Sequence, residues 1–152
     1  MPEFTLERVI RAAPAEVFAA SIDPALHVES MARYGETMVD GPEGGVFTEG
    51  STVTWRARHF GITFRLTSMV FSIDPPYRFS DRQIRGPFGA FHHDHVFLEH
   101  PDGTLMRDTI TFHSPFGPLG ALVDRLFMRE YLRRLIEERN RVMAVSVEGR
   151  RA

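Results

Sequence analysis

The densest concentration of groups able to move a proton or hold an ion is the run Phe91-His92-His93-Asp94-His95. In an extended segment alternate side chains share a face, so Phe91, His93, His95 and Phe97 point one way and His92, Asp94, Val96 and Leu98 the other. On the following segment the register of Met106, Ile110 and Phe112 carries Asp108 to the same side, opposite Leu105, Arg107, Thr109 and Thr111. On the preceding one Phe79 carries Asp81 and Gln83. Polar groups from three neighbouring strands are therefore expected to converge on one buried patch. An imidazole in apolar surroundings needs a hydrogen-bond partner, and a carboxylate beside it holds its tautomer or stabilises its charged form. We take His93 and His95 as candidate acid/base groups and Asp108 as the residue that orients them. A free ring nitrogen could then exchange a proton with a bound carbonyl compound, as cyclisation or dehydration requires. In their simpler role the same residues form a satisfied network that anchors strands.

A metal site competes for these side chains. His93-x-His95 sets two imidazoles on one strand face, and with Asp108 they would offer zinc or iron two or three ligands. Glu99 follows at the spacing of the first cupin motif, which this stretch resembles in part. Gly86 lies one residue too far ahead of the pair, Gly103 comes too soon after Glu99, and the only asparagine is Asn140, in a predicted helix rather than a second motif. The sequence reading assigns no metal and no cofactor. Gly-x-Ser-x-Gly, His-Glu-x-x-His and Gly-x-Gly-x-x-Gly are absent, which removes the motif basis for a triad hydrolase, a zincin or a dinucleotide enzyme. There is no cysteine, and all 18 basic residues are arginine. Disulfides, thiol chemistry, Schiff-base lysines and phosphate-loop lysines are thereby excluded.

The elements that position these groups follow from pattern. Positions 3–11 are β-prone, and Ala12-Ala13-Pro14-Ala15-Glu16-Val17-Phe18 predicts a short helix, with proline near its start and Val17, Phe18 and Ile22 at helical spacing. Asp23-Pro24 predicts a second, capped by the aspartate and ending near Met31 before Gly35. Gly41, Pro42, Gly44 and Gly45 mark a loop or hairpin. From Gly50 to Asp74 two strands turn at Phe60-Gly61-Ile62, with Val53, Trp55 and Ala57 and then Phe64, Leu66, Ser68 and Val70 facing inward. Asp74-Pro75-Pro76 is a turn and Tyr77 to Arg85 a strand, interrupted by Gly86-Pro87-Phe88-Gly89. Phe91 to Glu99 and Thr104 to Phe112 form a hairpin around His100-Pro101-Asp102-Gly103, making about seven strands. From Pro118 to about Val145, Leu119, Leu122, Val123, Leu126, Leu132, Leu135, Ile136 and Met143 recur at steps that predict one long amphipathic helix. Its Arg129, Arg133, Arg134, Arg139 and Arg141 interleave with Glu130, Glu137 and Glu138 as a solvated face.

A chain of 152 residues, 43% hydrophobic and 25% charged, suits one domain over 1–148 with a frayed tail at 149–152, large enough to build its core without staples. A net charge of −2 supplies no field for nucleic acid. No apolar run approaches the ~18 residues of a membrane span, and Met1-Pro2-Glu3-Phe4-Thr5 lacks the form of a leader, so a cytoplasmic location is expected. Nothing in the pattern bears on oligomeric state.

Strand, two short helices, antiparallel strands and a long C-terminal helix make an α+β domain in which a curved sheet wraps the helix. In this order Ala13-Pro14-Ala15-Glu16-Val17-Phe18, Asp23-Pro24, Asp74-Pro75-Pro76-Tyr77-Arg78-Phe79, Gly86-Pro87-Phe88, His93-Asp94-His95-Val96-Phe97, Gly103-Thr104-Leu105-Met106 and Pro115-Phe116-Gly117-Pro118-Leu119-Gly120 resemble the SRPBCC superfamily over nearly the whole chain. That superfamily includes START domains, birch-pollen-allergen-like proteins and polyketide cyclase/dehydrase-like proteins. The resemblance implies the helix-grip fold and a cavity between sheet and long helix for a lipid, polyketide, isoprenoid or other apolar molecule. It implies no single reaction, since members range from carriers to cyclases. Trp55, Phe64, Gln83, Phe91, Phe97, Met106, Phe112, Leu126 and Tyr131 are expected to contact the ligand. Three functions follow: a binder of an apolar small molecule, a cyclase or dehydratase using His93 or His95 oriented by Asp108, and a protein-interaction module with a small or empty cavity.

Overall fold

The computed structural model describes residues 2–42 and 45–150. Seven strands, β1 (Glu3–Ile10), β2 (Thr37–Asp40), β3 (Thr52–His59), β4 (Ile62–Asp74), β5 (Arg78–Arg85), β6 (Ala90–His100) and β7 (Gly103–His113), form one antiparallel sheet in the order β1-β7-β6-β5-β4-β3-β2. Strands β2 to β7 are a meander in which each pairs with the next, and β1 pairs with β7. Burial along β7 alternates without a break, which puts Thr104, Met106, Asp108, Ile110 and Phe112 on the inner face. The β6–β7 hairpin turns through Pro101 and Asp102, and His100 pairs with Gly103. Glycine is required at 103 because its φ is +136° and a Cβ there would collide with the Ile10 carbonyl oxygen, where β1 ends. Gly44 of the expected loop lies outside the described residues.

Between β1 and β2 run α1 (Pro14–Ser21) and α2 (Pro24–Ser30), each with proline in its first turn. The Asp23 carboxylate caps α2 by accepting the Ala25 N–H at 2.9 Å. Val17, Phe18 and Ala20 of α1 are buried, and Phe18 meets Phe79 and Phe97 of the sheet edge-on at 5.9 and 5.7 Å.

The C-terminal helix spans 33 residues in three parts: α3 (Gly117–Val123), a π-helical turn (Asp124–Met128) and α4 (Arg129–Gly149). The expected uniform helix is therefore interrupted. At the interruption Asp124 is fully buried and accepts hydrogen bonds from the Ser114 N–H at 2.9 Å and from the Ser114 hydroxyl. A π turn holds an extra residue, so the stripe of one part does not continue on the next. Leu132, Leu135, Ile136 and Met143 are buried, whereas Leu119, Leu122, Val123 and Leu126 are between 40% and 72% exposed. Two further corrections fall on this helix. Arg139, expected on the solvated face, is buried, and Gly149, expected in the tail, is its last residue. Residues 151–152 of the tail lie outside the described residues. Among the described residues no helix is long and apolar enough to cross a membrane.

Candidate functional site

Three adjacent strands deliver the polar cluster. Asp81 of β5 stands opposite His93 of β6, and Asp108 of β7 stands opposite His95. The shortest contacts run along the diagonals instead. His93 Nε2–H donates to Asp108 Oδ1 at 2.7 Å and His95 Nε2–H donates to Asp81 Oδ2 at 2.7 Å, while His95 Nδ1 lies 3.3 Å from Asp108 Oδ1. The two imidazoles stack with centroids 3.7 Å apart, and Phe79 stacks on His95 at 4.1 Å, so the His95 ring is held on both faces. From α4, Arg139 Nη1 donates to Asp108 Oδ1 at 3.3 Å and to Asn140 Oδ1 at 3.0 Å, and Asn140 Nδ2 donates to Asp108 Oδ2 at 2.7 Å.

These contacts set the charges. Burial alone would raise the Asp108 carboxyl, but hydrogen bonds with His93 and His95 and the Arg139 charge hold it well below the usual carboxylate range. Asp81 is lowered in the same way, with His95 outweighing burial. Burial opposes a charge on His95 too, yet its bonds with Asp108 and Asp81 raise it above the ordinary imidazole value. His93 is pushed down to about 4 by burial and by the neighbouring His95 charge, against the pull of Asp108. Buried Asp108 and half-buried Asp81 thus face Arg139 and a His95 biased toward its protonated form, while His93 is held neutral. That balance matters because an unmatched buried charge costs several kcal/mol. With Nε2 carrying the proton that Asp108 accepts, His93 Nδ1 holds a lone pair, and among the described residues it makes no hydrogen bond.

His93 and His95 form part of the wall of a cavity of about 290 Å³, at the lower edge of the roughly 300–1,000 Å³ of small-molecule clefts. Strands β3 to β6 contribute Trp55, Phe64, Leu66, Val70, Phe79 and Phe91, and the C-terminal helix contributes Met128, Tyr131, Leu132, Leu135 and Ile136. A second polar group lines the same space. His27 stacks on Trp55 at 4.1 Å and its Nε2 lies 3.2 Å from Oε2 of buried Glu36, an oxygen that has no aligned hydrogen bond. His59, lowered by burial against the raising effect of Glu36, shares a 2.7 Å hydrogen bond with the Tyr131 hydroxyl.

Of the residues expected at the site, Trp55, Phe64, Phe91, Tyr131, His93 and His95 lie on the cavity wall. Asp108 stands behind the two imidazoles and is fully buried. Phe97, Met106 and Phe112 point inward as expected but are core residues rather than lining: Phe97 packs on Phe18 and Phe79, and Phe112 on Phe4 and Phe88. Strand alternation specifies a face and says nothing of depth. Gln83 does not reach the cavity either. It braces the β5–β6 connection, donating to the Phe88 carbonyl at 2.9 Å and accepting the Phe88 N–H at 3.2 Å. Leu126, on the π turn, is 72% exposed. His27, Glu36, His59, Arg139 and Asn140 also belong to the site, and sequence motifs do not single them out. For the last two a signal existed, since they follow Leu135 and Ile136 and precede Met143 at the three- and four-residue steps of the buried stripe. His27 and Glu36 sit on short irregular segments that carry no periodicity.

For a metal, Asp81, His93 and His95 are, among the described residues, the group that brings ligating atoms within 4.8 Å of one another. The third group beside the histidine pair is therefore Asp81 and not the Asp108 expected from the sequence.

The profile of the family described as "Polyketide cyclase / dehydrase and lipid transport" matches residues 1–148. No curated sequence matches the chain. Solved structures share the fold: TTHA0849 from Thermus thermophilus is 21% identical, with a TM-score of 0.80 over 99% of this chain and 100% of that one. Ara h 8.0201 is 15% identical, with a TM-score of 0.71 over 96% and 97%. The di-domain ARO/CYC StfQ from the steffimycin biosynthetic pathway is 13% identical, with a TM-score of 0.79 over 97% of this chain and 51% of that protein.

Proposed function

Because the chain belongs to the polyketide cyclase / dehydrase and lipid transport family, we propose that it binds one compact, neutral, hydroxylated aromatic or polyketide-like molecule in the cavity between the sheet and α4. The observation that carries this reading is the lone pair of His93 Nδ1 in a wall otherwise dominated by Trp55, phenylalanines and aliphatic side chains. Aromatic rings offer a flat ligand area and stacking geometry, and the imidazole accepts one hydroxyl proton. Glu36 and Asp81 in the same wall oppose a carboxylate head group, which favours such a ligand over a fatty acid. A cavity of this size also weighs against the interaction module with nothing inside.

A cyclase or dehydratase is the second reading, favoured by one observation: His93 is paired with a carboxylate behind it and presents its other nitrogen forward, the arrangement of an oriented base. Its depressed basicity makes it a weak base near neutral pH, and both nitrogens of His95 already face carboxylates. Binding therefore has the stronger support. Trp55 is the chain's single tryptophan and lines the cavity, so its fluorescence reports occupancy. Titration with a flavone-type hydroxylated aromatic ketone is expected to quench Trp55 with saturation at one per chain, and a long-chain fatty acid to bind more weakly. Ala57→Phe, filling the wall position beside Trp55, should weaken binding by about tenfold or more, or ~1.4 kcal/mol. Unsaturable quenching, or binding indifferent to Ala57→Phe, would refute the reading. Turnover that vanishes in His93→Gln with affinity retained would establish the enzyme instead.

A further inference from the structure

We propose that Asp81, His93 and His95 form a binding site for one divalent transition-metal ion of the zinc and iron class, with its remaining coordination positions open to the cavity. Two imidazoles and one carboxylate are a donor set suited to such ions and too rich in nitrogen for magnesium or calcium. The three side chains present ligating atoms within 4.8 Å of one another on two adjacent strands, and all three line the cavity. Asp81 Oδ2 and His95 Nε2 are 2.7 Å apart. Two ligands about 2.0–2.2 Å from one ion stand roughly 3 Å apart, so the ion takes the place of their shared proton with a small outward adjustment. His93 contributes Nδ1, the nitrogen that Asp108 does not occupy.

The stronger argument lies behind the ligands. Metal-binding imidazoles present their second nitrogen to a carboxylate, which fixes ring orientation and tautomer. Here one carboxylate serves both rings: Asp108 Oδ1 lies 2.7 Å from His93 Nε2 and 3.3 Å from His95 Nδ1. Asp108 is itself locked by Arg139 and Asn140 from α4, at 3.3 and 2.7 Å. His93 Nδ1, at the cavity wall and without a hydrogen bond among the described residues, is the ring atom that this network leaves open. A dication that takes the place of the proton shared by His95 and Asp81 releases that proton to solvent. Water or an oxygen of a bound molecule, arriving from the cavity, completes the coordination. With the ion bound, the His93 Nδ1 lone pair is taken by the metal and a ligand hydroxyl would meet the ion instead, so the inference is tested without an organic ligand.

The test uses the full chain stripped with a chelator, dialysed, and titrated with ZnCl2 by calorimetry and with CoCl2 by visible absorption. One ion per chain is expected, and the cobalt form should show the intense ligand-field bands of a four- or five-coordinate nitrogen–oxygen site. Asp81→Asn should abolish stoichiometric binding. Asp108→Asn should weaken it by about 10–100-fold, as loss of an outer carboxylate does. His92→Gln, altering a half-exposed histidine on the other face of β6, should leave binding unchanged. The proposal fails if wild-type protein binds less than one ion, if its cobalt spectrum is that of the hexaaquo ion, or if His92→Gln rather than Asp81→Asn removes the site. The wild-type cobalt spectrum decides the matter even if a variant unfolds.

Discussion

His93 is a neutral buried imidazole, and acid should find it. Its folded pKa lies at about 4 while an unfolded histidine titrates near 6.5. Above the unfolded value neither state holds the proton and the group adds no pH dependence. As pH falls through 6.5 the unfolded chain takes up a proton that the folded chain refuses, so stability declines until about pH 4, where the folded imidazole also protonates. From about pH 7 to about pH 5 this difference amounts to about 2 kcal/mol, and over the full window to about 3 kcal/mol. For a chain of this length about 2 kcal/mol corresponds to a Tm lower by ~4–8 °C. The perturbation is His93→Gln, which keeps an amide donor for Asp108 and removes the titration. Urea unfolding followed by Trp55 fluorescence, with a chelator present so that no ion holds the imidazole, measures stability at each pH. His95 has the opposite sign, since its raised pKa adds stability that is complete below 6.5 and lost as pH rises through its folded value. It is present in both proteins, as are the carboxylates, so the difference in slope reports His93 together with its coupling to those neighbours. Wild-type protein should lose about 2 kcal/mol more than the variant over that window. Parallel losses, agreeing to within about 0.5 kcal/mol, would show that His93 is not held neutral and that the charge assignment is wrong.

Asp108→Ala leaves buried Arg139 without its carboxylate partner and should cost about 3–5 kcal/mol, or ~6–20 °C in Tm by calorimetry; a loss below about 1 kcal/mol would mean that the network does not carry these charges. Gly120→Ala should destabilise despite alanine's ~1 kcal/mol helix advantage, because its Cβ would collide with the Pro115 carbonyl oxygen; a rise in Tm would overturn that contact. Tyr131→Phe removes the hydroxyl bonded to His59 while keeping the ring, and should cost about 1 kcal/mol in urea unfolding.

Much of this was legible in one dimension. Alternation along β5, β6 and β7 is a local property of extended chain, and it sufficed to bring Asp81, His93, His95 and Asp108 to one inner face. The prolines at 14 and 24, the Asp23 cap and Gly103 mark element ends through constraints that belong to single residues, so those ends are found without knowing the fold. Binary pattern and order together sufficed for a sheet wrapped on a long helix.

Depth, diagonals and interruptions belong to the tertiary structure. Phe97 and Phe91 share a strand face, yet one is sealed in the core by α1 and the other borders a cavity, because what covers a face is decided by elements distant in sequence. Which carboxylate takes which imidazole depends on side-chain lean across strands, so Asp108 became the support of the histidine pair and Asp81 its neighbour at the cavity wall. The π turn begins at Asp124, whose bonds to Ser114 no helical periodicity records, and Leu126 lies on that turn, exposed. Arg139 reads as surface by its type, and only the buried negative charge of Asp108 beneath α4 explains why it points inward. Local chain geometry therefore determined which groups could meet, and long-range packing and charge compensation decided which of them did.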